Sequence, residues 1–111
     1  MIQVDIRNRF DGNLIIYTTQ IDSRFKDAPR SKQLGEAVLQ ALKNDVSLQG
    51  ADLRYVDLRD AILWKADLSH SDLRDADLSH SDLRDAFLNN ANLRGADLRG
   101  AKLSRSFLND A

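Results

Sequence analysis

Residues 66–85 read ADLSHSDLRDADLSHSDLRD, a ten-residue unit in tandem in which every fifth position is a leucine. The interval extends beyond this stretch, so that thirteen leucines occupy every fifth position from Leu48 to Leu108. Two residues before each leucine stands alanine or serine, with Val46 and Val56 the only larger residues. This period decides the fold of the C-terminal part of the chain.

A period of five fits neither a regular helix nor a straight strand. Side chains return to one face about every 3.6 residues in a helix and about every 2 residues in a strand. In a strand, Ala51 and Leu53 would share a face, but Leu58 would point the opposite way. All the leucines face inward only if the chain turns a corner after each one. Four corners close a coil of about twenty residues, and stacked coils then pair as parallel strands about 4.8 Å apart.

The pentapeptides ADLRY, ADLSH, SDLRD, ANLRG and ADLRG carry this pattern and resemble those of the pentapeptide-repeat family. The resemblance covers residues 46–111. It implies an all-β solenoid, a right-handed quadrilateral parallel β-helix of about three coils, and the hand agrees with the usual crossover of parallel strands. The commonest repeat has Asp or Asn before the leucine, and this sequence departs from it at Ile62, Phe87, Lys102 and Phe107.

Residues 1–45 have a different pattern. Apolar and polar residues alternate from Ile2 to Phe10, Asp11 and Gly12 indicate a tight turn, and residues 14–21 form a β-branched run, which together predict a β-hairpin.

An amphipathic helix should follow the hairpin, with Ser31 as its N-cap and its end near Asn44. Because the ends of a solenoid expose apolar core and unpaired strand edges, we expect this hairpin and helix to cap the first coil.

The composition excludes several classes of function. With 16 basic and 17 acidic residues, the chain is nearly neutral, and this charge does not indicate a nucleic-acid-binding surface. It has no cysteine for disulfides or thiolate sites, and no apolar segment long enough for a signal peptide or a membrane span. We therefore expect a cytoplasmic protein that binds neither nucleic acid directly nor membranes.

Residues twenty apart should lie in one column on one side of the coil. Arg54, Arg74 and Arg94 form such a column and are a candidate surface for a partner with carboxylate or phosphate groups. The Asp or Asn two residues before each arginine favours instead a solvated ladder of ion pairs that contribute little.

Phe87 and Phe107 are also twenty residues apart and should stack on the outside of the coil near its end. With Leu108 they are a candidate dimer interface, because adjacent exposed aromatic rings beside an uncovered edge favour association. The family resemblance implies pairing through C-terminal coils, so a homodimer is the expected assembly. A locally solvated stack is the alternative.

Ile62 and Trp64 should point outward from the first coil, near Tyr55. We expect the N-terminal hairpin or helix to fold over them. The alternative is a partner surface at Trp64, with Arg84 one coil below it in reach of a cation–π contact.

The histidines predict no chemistry. His70 and His80 are half a coil apart, so they should lie on opposite sides and cannot share a metal ion. His80 should stack over Asp60 near Ser79, but on a convex surface without a pocket or oxyanion donors. No catalytic, cofactor-binding or metal-binding residue is predicted, and no enzyme.

The sequence is compatible with two functions. The first is a non-catalytic protein-interaction or scaffold module with an unidentified protein partner. The second, implied by the family resemblance, is a DNA-mimicking inhibitor or protector of a type II topoisomerase such as gyrase. Eleven Asp against nine Lys or Arg in residues 46–111 give little of the negative charge that such mimicry needs.

Overall fold

The structure is a computed structural model that describes residues 1–111. Its first element is an antiparallel hairpin of strands β1 (Ile2–Arg7) and β2 (Ile15–Ile21). The predicted turn is present, and the Leu14 N–H donates to the Asp11 carbonyl over 3.0 Å.

The first strand is shorter than the sequence predicted. Phe10 does not continue the alternation of β1 but lies exposed in the connecting loop. The cause is Asn8, whose side-chain oxygen accepts hydrogen bonds from the backbone N–H groups of Phe10 and Asp11 and so turns the chain out of the strand. The second strand begins at Ile15, one residue later than expected.

Helix α1 (Arg30–Lys43) follows a short 3-10 turn at Ser23–Phe25. The prediction of Ser31 as N-cap was wrong. Pro29 is the N-cap, because its carbonyl accepts the first helical hydrogen bonds, from Lys32 and Gln33. The helix ends next to Asn44, as predicted, and its apolar face buries Leu34, Ala37, Val38 and Ala41.

From residue 46 the chain turns after every leucine. In each turn the leucine carbonyl accepts a hydrogen bond from the N–H three residues later, as in Ala76 N to Leu73 O at 3.1 Å. The residue before that donor has positive φ, the requirement of a type II turn. Only Gly50, Gly95 and Gly100 meet this need with glycine, and the other turns place larger residues in the left-handed region.

Residues twenty apart are paired by parallel bridges. Asp52 is bridged to Asp72 and Asp72 to Asn92, and the Leu53 N–H donates to the Asp72 carbonyl over 2.8 Å. One coil is therefore twenty residues with four turns, as the leucine period predicted. The expected short strands are reduced to one bridging residue a side, because the four-residue turn from each leucine to the next small residue leaves only one of every five residues outside it.

The four sides are numbered from the first coil. Side 1 is residues 46–50, side 2 is 51–55, side 3 is 56–60 and side 4 is 61–65, and each side recurs twenty residues later. The nine leucines from Leu48 to Leu88 are fully buried, each contributing about 1.5–3 kcal/mol. The serines at inward positions remain satisfied because their hydroxyls donate to turn carbonyls, as Ser71 does to Leu68 over 2.6 Å.

The N-terminal segment lies against the first coil. The Asp52 N–H donates to the Arg7 carbonyl over 2.7 Å, and the Asp57 N–H donates to the Ser31 carbonyl over 3.1 Å. Helix α1 approaches side 3 so closely that a methyl group at Gly35 would collide with the carbonyl oxygen of Asp57.

Gly35→Ala is expected to lower the free energy of unfolding by about 1–3 kcal/mol, because the added methyl forces the helix away from side 3. Intrinsic propensity alone would make alanine better by about 1 kcal/mol. Urea unfolding measures the difference. Gly12→Ala, where the new methyl meets no atom, is the control and should be near neutral. A stabilised Gly35→Ala variant would contradict this packing.

Candidate interaction surfaces

Side 2 carries the predicted column of arginines, but two of the three are already engaged. Arg54 donates through Nε and Nη2 to both oxygens of Asp52, each over 3.0 Å. Arg74 makes the same paired contact with Asp72, over 2.9 and 2.7 Å. Arg94 has no carboxylate partner, because Asn92 stands in the equivalent position. Of the three arginines in this column, only Arg94 is free to bind a carboxylate or phosphate of a partner.

The same pairing recurs on the other sides. Asp57 with Arg59, Asp82 with Arg84 and Asp97 with Arg99 are joined within one repeat. Each carboxylate also accepts the backbone N–H two residues later, and so braces the turn.

These contacts shift the acid–base equilibria. Hydrogen bonds from Arg74 lower the pKa of Asp72, and those from Arg84 lower the pKa of Asp82 to about 2. The guanidinium of Arg99 likewise lowers the pKa of Asp97 to about 2. Because the carboxylates and guanidinium groups neutralise one another, 13 of the 20 charged side chains in residues 46–111 have an ion-pair partner within the chain.

Phe87 and Phe107 are stacked on side 1. Their ring centroids are 4.8 Å apart with an angle of 3° between the planes, and the residues are 41% and 50% exposed. Leu108 is exposed beside them. The spacing therefore predicted the contact correctly, while its role as a dimer interface stays a prediction.

The last coil, residues 91–110, has an edge that faces away from the rest of the solenoid. Leu93, Leu98 and Leu103 are only partly buried there. The backbone groups of this edge make no hydrogen bond within the chain. They are the N–H groups of Leu93, Gly95, Leu98, Gly100, Leu103, Arg105, Leu108 and Asp110, and the carbonyls of Ala91, Ala96, Ala101 and Ser106.

Trp64 and Ile62 are not covered by the N-terminal segment, which corrects the first expectation from the sequence. Ile62 is 77% exposed and Trp64 54% exposed. The reason is that α1 packs on side 3, against Asp57, and only flanks side 4. Tyr55, at the corner of side 2, is also exposed.

The cation beside Trp64 is Lys65 and not the predicted Arg84. The Lys65 ammonium lies 4.3 Å from the centroid of the indole ring, whereas Arg84 is held by Asp82. The indole Nε1–H of Trp64 donates to Asp85 over 3.0 Å.

Sequence reasoning missed the role of Asp85. Besides Trp64, Arg105 donates to both oxygens of this carboxylate, over 2.9 and 3.1 Å, and these hydrogen bonds lower the pKa of Asp85. The sequence does contain the information that predicts this contact, because Lys65, Asp85 and Arg105 are twenty residues apart and therefore lie in one column.

The structure holds no group of three or more His, Cys, Asp or Glu residues that could bind a metal ion. His70 engages Arg9 through its carbonyl oxygen, and the ring of His80 lies next to Gly100, where an added methyl would meet it. No helix has the length and apolar character needed to cross a membrane.

Comparison with known proteins identifies the type of repeat. A sequence-family profile described as pentapeptide repeats matches in 8 copies, over residues 44–79 and 71–110. The chain is similar to the pentapeptide repeat protein Rfr23 from the cyanobacterium Cyanothece 51142. The two are 36% identical, over 53% of this chain and 47% of that one, with a TM-score of 0.43.

It is also similar to HetL from the cyanobacterium Nostoc sp. strain PCC 7120, a pentapeptide repeat protein involved in heterocyst differentiation regulation. Identity is 38%, over 56% of this chain and 34% of HetL, with a TM-score of 0.38. This chain thus spans about half the length of Rfr23 and about a third of HetL. No match was found among curated proteins.

Arg84→Gln is expected to make the protein less stable at neutral pH, with the deficit shrinking as the pH falls from about 4 to about 2. The carboxyl of Asp82 has a pKa of about 2 in the folded chain, against 3.8 for the unperturbed group. Such a group stabilises the fold above the higher value and loses that contribution as the pH falls through the lower one. Urea unfolding at several pH values measures the effect.

The matched control is Arg94→Gln, whose neighbour Asn92 does not titrate, so its difference from the wild type should not depend on pH. Parallel pH profiles for wild type and Arg84→Gln would refute the assignment of the lowered pKa to Arg84.

Proposed function

Because this chain belongs to the pentapeptide-repeat family, we propose that it is a non-catalytic interaction module that binds proteins through the outside and the last coil of its β-helix solenoid. Proteins of this family are generally non-enzymatic repeat modules. The observation that carries the proposal is the exposed stack of Phe87 and Phe107, next to the edge of unpaired backbone groups.

The partner at this edge is a second copy of the chain. Two such edges, brought together, bury the partly exposed leucines of both copies and pair backbone groups that otherwise bond to water. Phe87, Phe107 and Leu108 form the apolar rim of this homodimer.

Charge opposes the dimer. In the last coil Arg99 and Arg105 are paired with Asp97 and Asp85, and the remaining charges are Arg94 and Lys102 against Asp110, a positive balance. Because like charges would face each other across the interface, added salt should strengthen the dimer by screening them.

Further protein partners would contact side 2 or, on the opposite side of the coil, side 4. On side 2, Arg94 is the one arginine of its column without a carboxylate partner, and on side 4 Trp64 of the first coil is exposed. Arg54 and Arg74 contribute less, because Asp52 and Asp72 already occupy their guanidinium groups.

The same proposal includes the hand and cross-section of the coil and the bounds of its cap. The coil winds right-handed with a quadrilateral section, since crossovers between parallel strands are nearly always right-handed. Residues 1–45 are its cap and residues 46–111 the solenoid. A cytoplasmic location stays a prediction from the sequence.

The second candidate, a DNA-mimicking inhibitor or protector of gyrase, is favoured by one observation. Negative charge is concentrated in the second coil, residues 66–85, with six Asp against Arg74 and Arg84. Arg74, Arg84 and Arg105 neutralise three of these carboxylates, so we rank this function second.

Phe107→Asp is expected to convert the dimer to a monomer, because it places a charge against its symmetry-related copy at the rim of the interface. Light scattering should give twice the chain mass of 12.5 kDa for the wild type and the single mass for the variant. Tyr55→Asp, an exposed residue away from the last coil, is the control and should remain a dimer. A monomeric wild type at every salt concentration would exclude the homodimer.

A gyrase supercoiling assay separates the two functions. The leading proposal predicts no effect of the chain at micromolar concentration. Inhibition or protection that persists in Arg84→Gln, which makes the second coil more acidic, would instead support the mimic.

A further inference from the structure

The loop that joins β1 to β2 contains the only aspartate of the chain that is followed by glycine, in the pair Asp11 and Gly12. Both residues are exposed, and a methyl group at Gly12 would meet no atom within 4 Å. Because glycine has no Cβ, no side chain hinders the approach to its backbone nitrogen. The Gly12 nitrogen is therefore accessible to the carboxyl group of the residue before it.

The Gly12 N–H also makes no hydrogen bond. The solenoid treats the residue after an aspartate differently. Asp52 is followed by Leu53, whose N–H donates to the Asp72 carbonyl over 2.8 Å and whose side chain is buried. An amide that is fixed in this way is not free to react with the neighbouring carboxyl group. The loop gives Gly12 neither of these protections.

Two hydrogen bonds in the loop favour a reaction between the two residues. The Asn13 N–H donates to Asp11 Oδ1 over 3.0 Å, which polarises the carboxyl carbon Cγ and holds it against the main chain. The Leu14 N–H donates to the main-chain carbonyl of Asp11 over 3.0 Å. This carbonyl is conjugated with the Gly12 nitrogen, so the hydrogen bond makes the proton on that nitrogen easier to remove. The turn thus places an activated carbon next to an activated nitrogen.

We propose that Asp11 is a site of spontaneous isoaspartyl formation. The Gly12 nitrogen loses its proton and bonds to Cγ of the protonated Asp11 carboxyl group, the Cγ–OH bond breaks, and one water leaves. The product is a five-membered succinimide ring. Water that attacks Cγ of this ring restores aspartate. Water that attacks the former main-chain carbonyl carbon leaves a chain that runs through Cγ, which is an isoaspartyl residue.

The isoaspartyl form adds one methylene to the main chain of the loop. It converts the carbonyl that accepts from Leu14 into a free carboxylate, and it displaces the Gly12 carbonyl, which accepts from Arg7 over 2.8 Å. The change should remain in the loop, because the Arg9 N–H is fixed to the Gly50 carbonyl over 2.8 Å. The free carboxylate makes the exposed loop a substrate for carboxyl methyltransferases that recognise isoaspartyl residues.

Asp22 is a matched control within the same chain. Its Oδ1 accepts from the Arg24 N–H over 2.8 Å, and its main-chain carbonyl accepts from the Phe25 N–H over 3.1 Å. Both hydrogen bonds of Asp11 are therefore repeated. The next residue, however, is Ser23, whose side chain hinders the approach to its own nitrogen. The two aspartates differ mainly in the residue that follows them.

Ageing of the full chain at neutral pH tests the proposal. Trypsin then releases residues 10–24 as one peptide, which contains both aspartates. An isoaspartyl form has the same mass, a different chromatographic retention, and resistance to an endoproteinase that cleaves before aspartate. Asp11 should convert about tenfold faster than Asp22. An isoaspartyl carboxyl methyltransferase with a labelled methyl donor should label the aged chain in this peptide.

Two variants change the reaction in opposite directions. Gly12→Ala, which the loop accommodates, should keep the circular dichroism of the wild type and convert about tenfold more slowly. Asp11→Asn keeps the oxygen that accepts from Asn13 but releases ammonia instead of water. Because an amide reacts without prior protonation of a carboxylate, this variant should form isoaspartate faster than the wild type.

The free peptide of residues 10–24 measures what the fold contributes. The full chain should convert at least as fast as the peptide, because the folded loop fixes the two hydrogen bonds at Asp11. Slower conversion in the full chain than in the peptide would overturn the proposal. Equal conversion at Asp11 and Asp22, or an unchanged rate in Gly12→Ala, would overturn it as well.

Discussion

A side of only five residues is the constraint on which the rest of the molecule depends. Each side must place one leucine and one small residue inside and still turn the chain, so the turn begins directly after the leucine. The Leu73 carbonyl closes this turn with the Ala76 N–H, and the Leu73 N–H is left to pair with the coil below. Burial of the leucine and pairing of the backbone therefore require the same geometry.

The outside of the coil follows from the same arrangement. The residues on either side of an inward leucine both point outward, so Asp52 and Arg54 meet across Leu53. The carboxylate also accepts the Arg54 N–H, which braces the turn. A repeat with paired Asp and Arg is thus electrostatically self-contained. The surfaces available to partners arise where an apolar residue precedes the leucine, at Ile62, Phe87 and Phe107, and where Asn92 leaves Arg94 without a carboxylate.

The sequence predicted contacts within the solenoid well and those of the N-terminal segment poorly. The stack of Phe87 on Phe107 followed from a spacing of twenty. Phe10 was wrongly assigned to the first strand because the side chain of Asn8 ends that strand early. The alternation of apolar and polar residues does not reveal that this side chain competes for the backbone N–H groups of the strand. Ser31 was misassigned because Pro29 supplies the first helical carbonyl. The corner residues carried no clear signal, since Tyr55, Lys65 and His70 adopt positive φ without being glycine.

The leucine period by itself determined the twenty-residue coil, its buried core and its outward columns, because in a solenoid the distance along the chain fixes the position in space. Only the tertiary structure decided which sides of the first coil are covered. That choice depends on long-range fits such as the approach of α1 at Gly35 to the Asp57 carbonyl, which leaves Ile62 and Trp64 on side 4 exposed. No periodicity encodes such a fit, because it joins two segments with unrelated patterns.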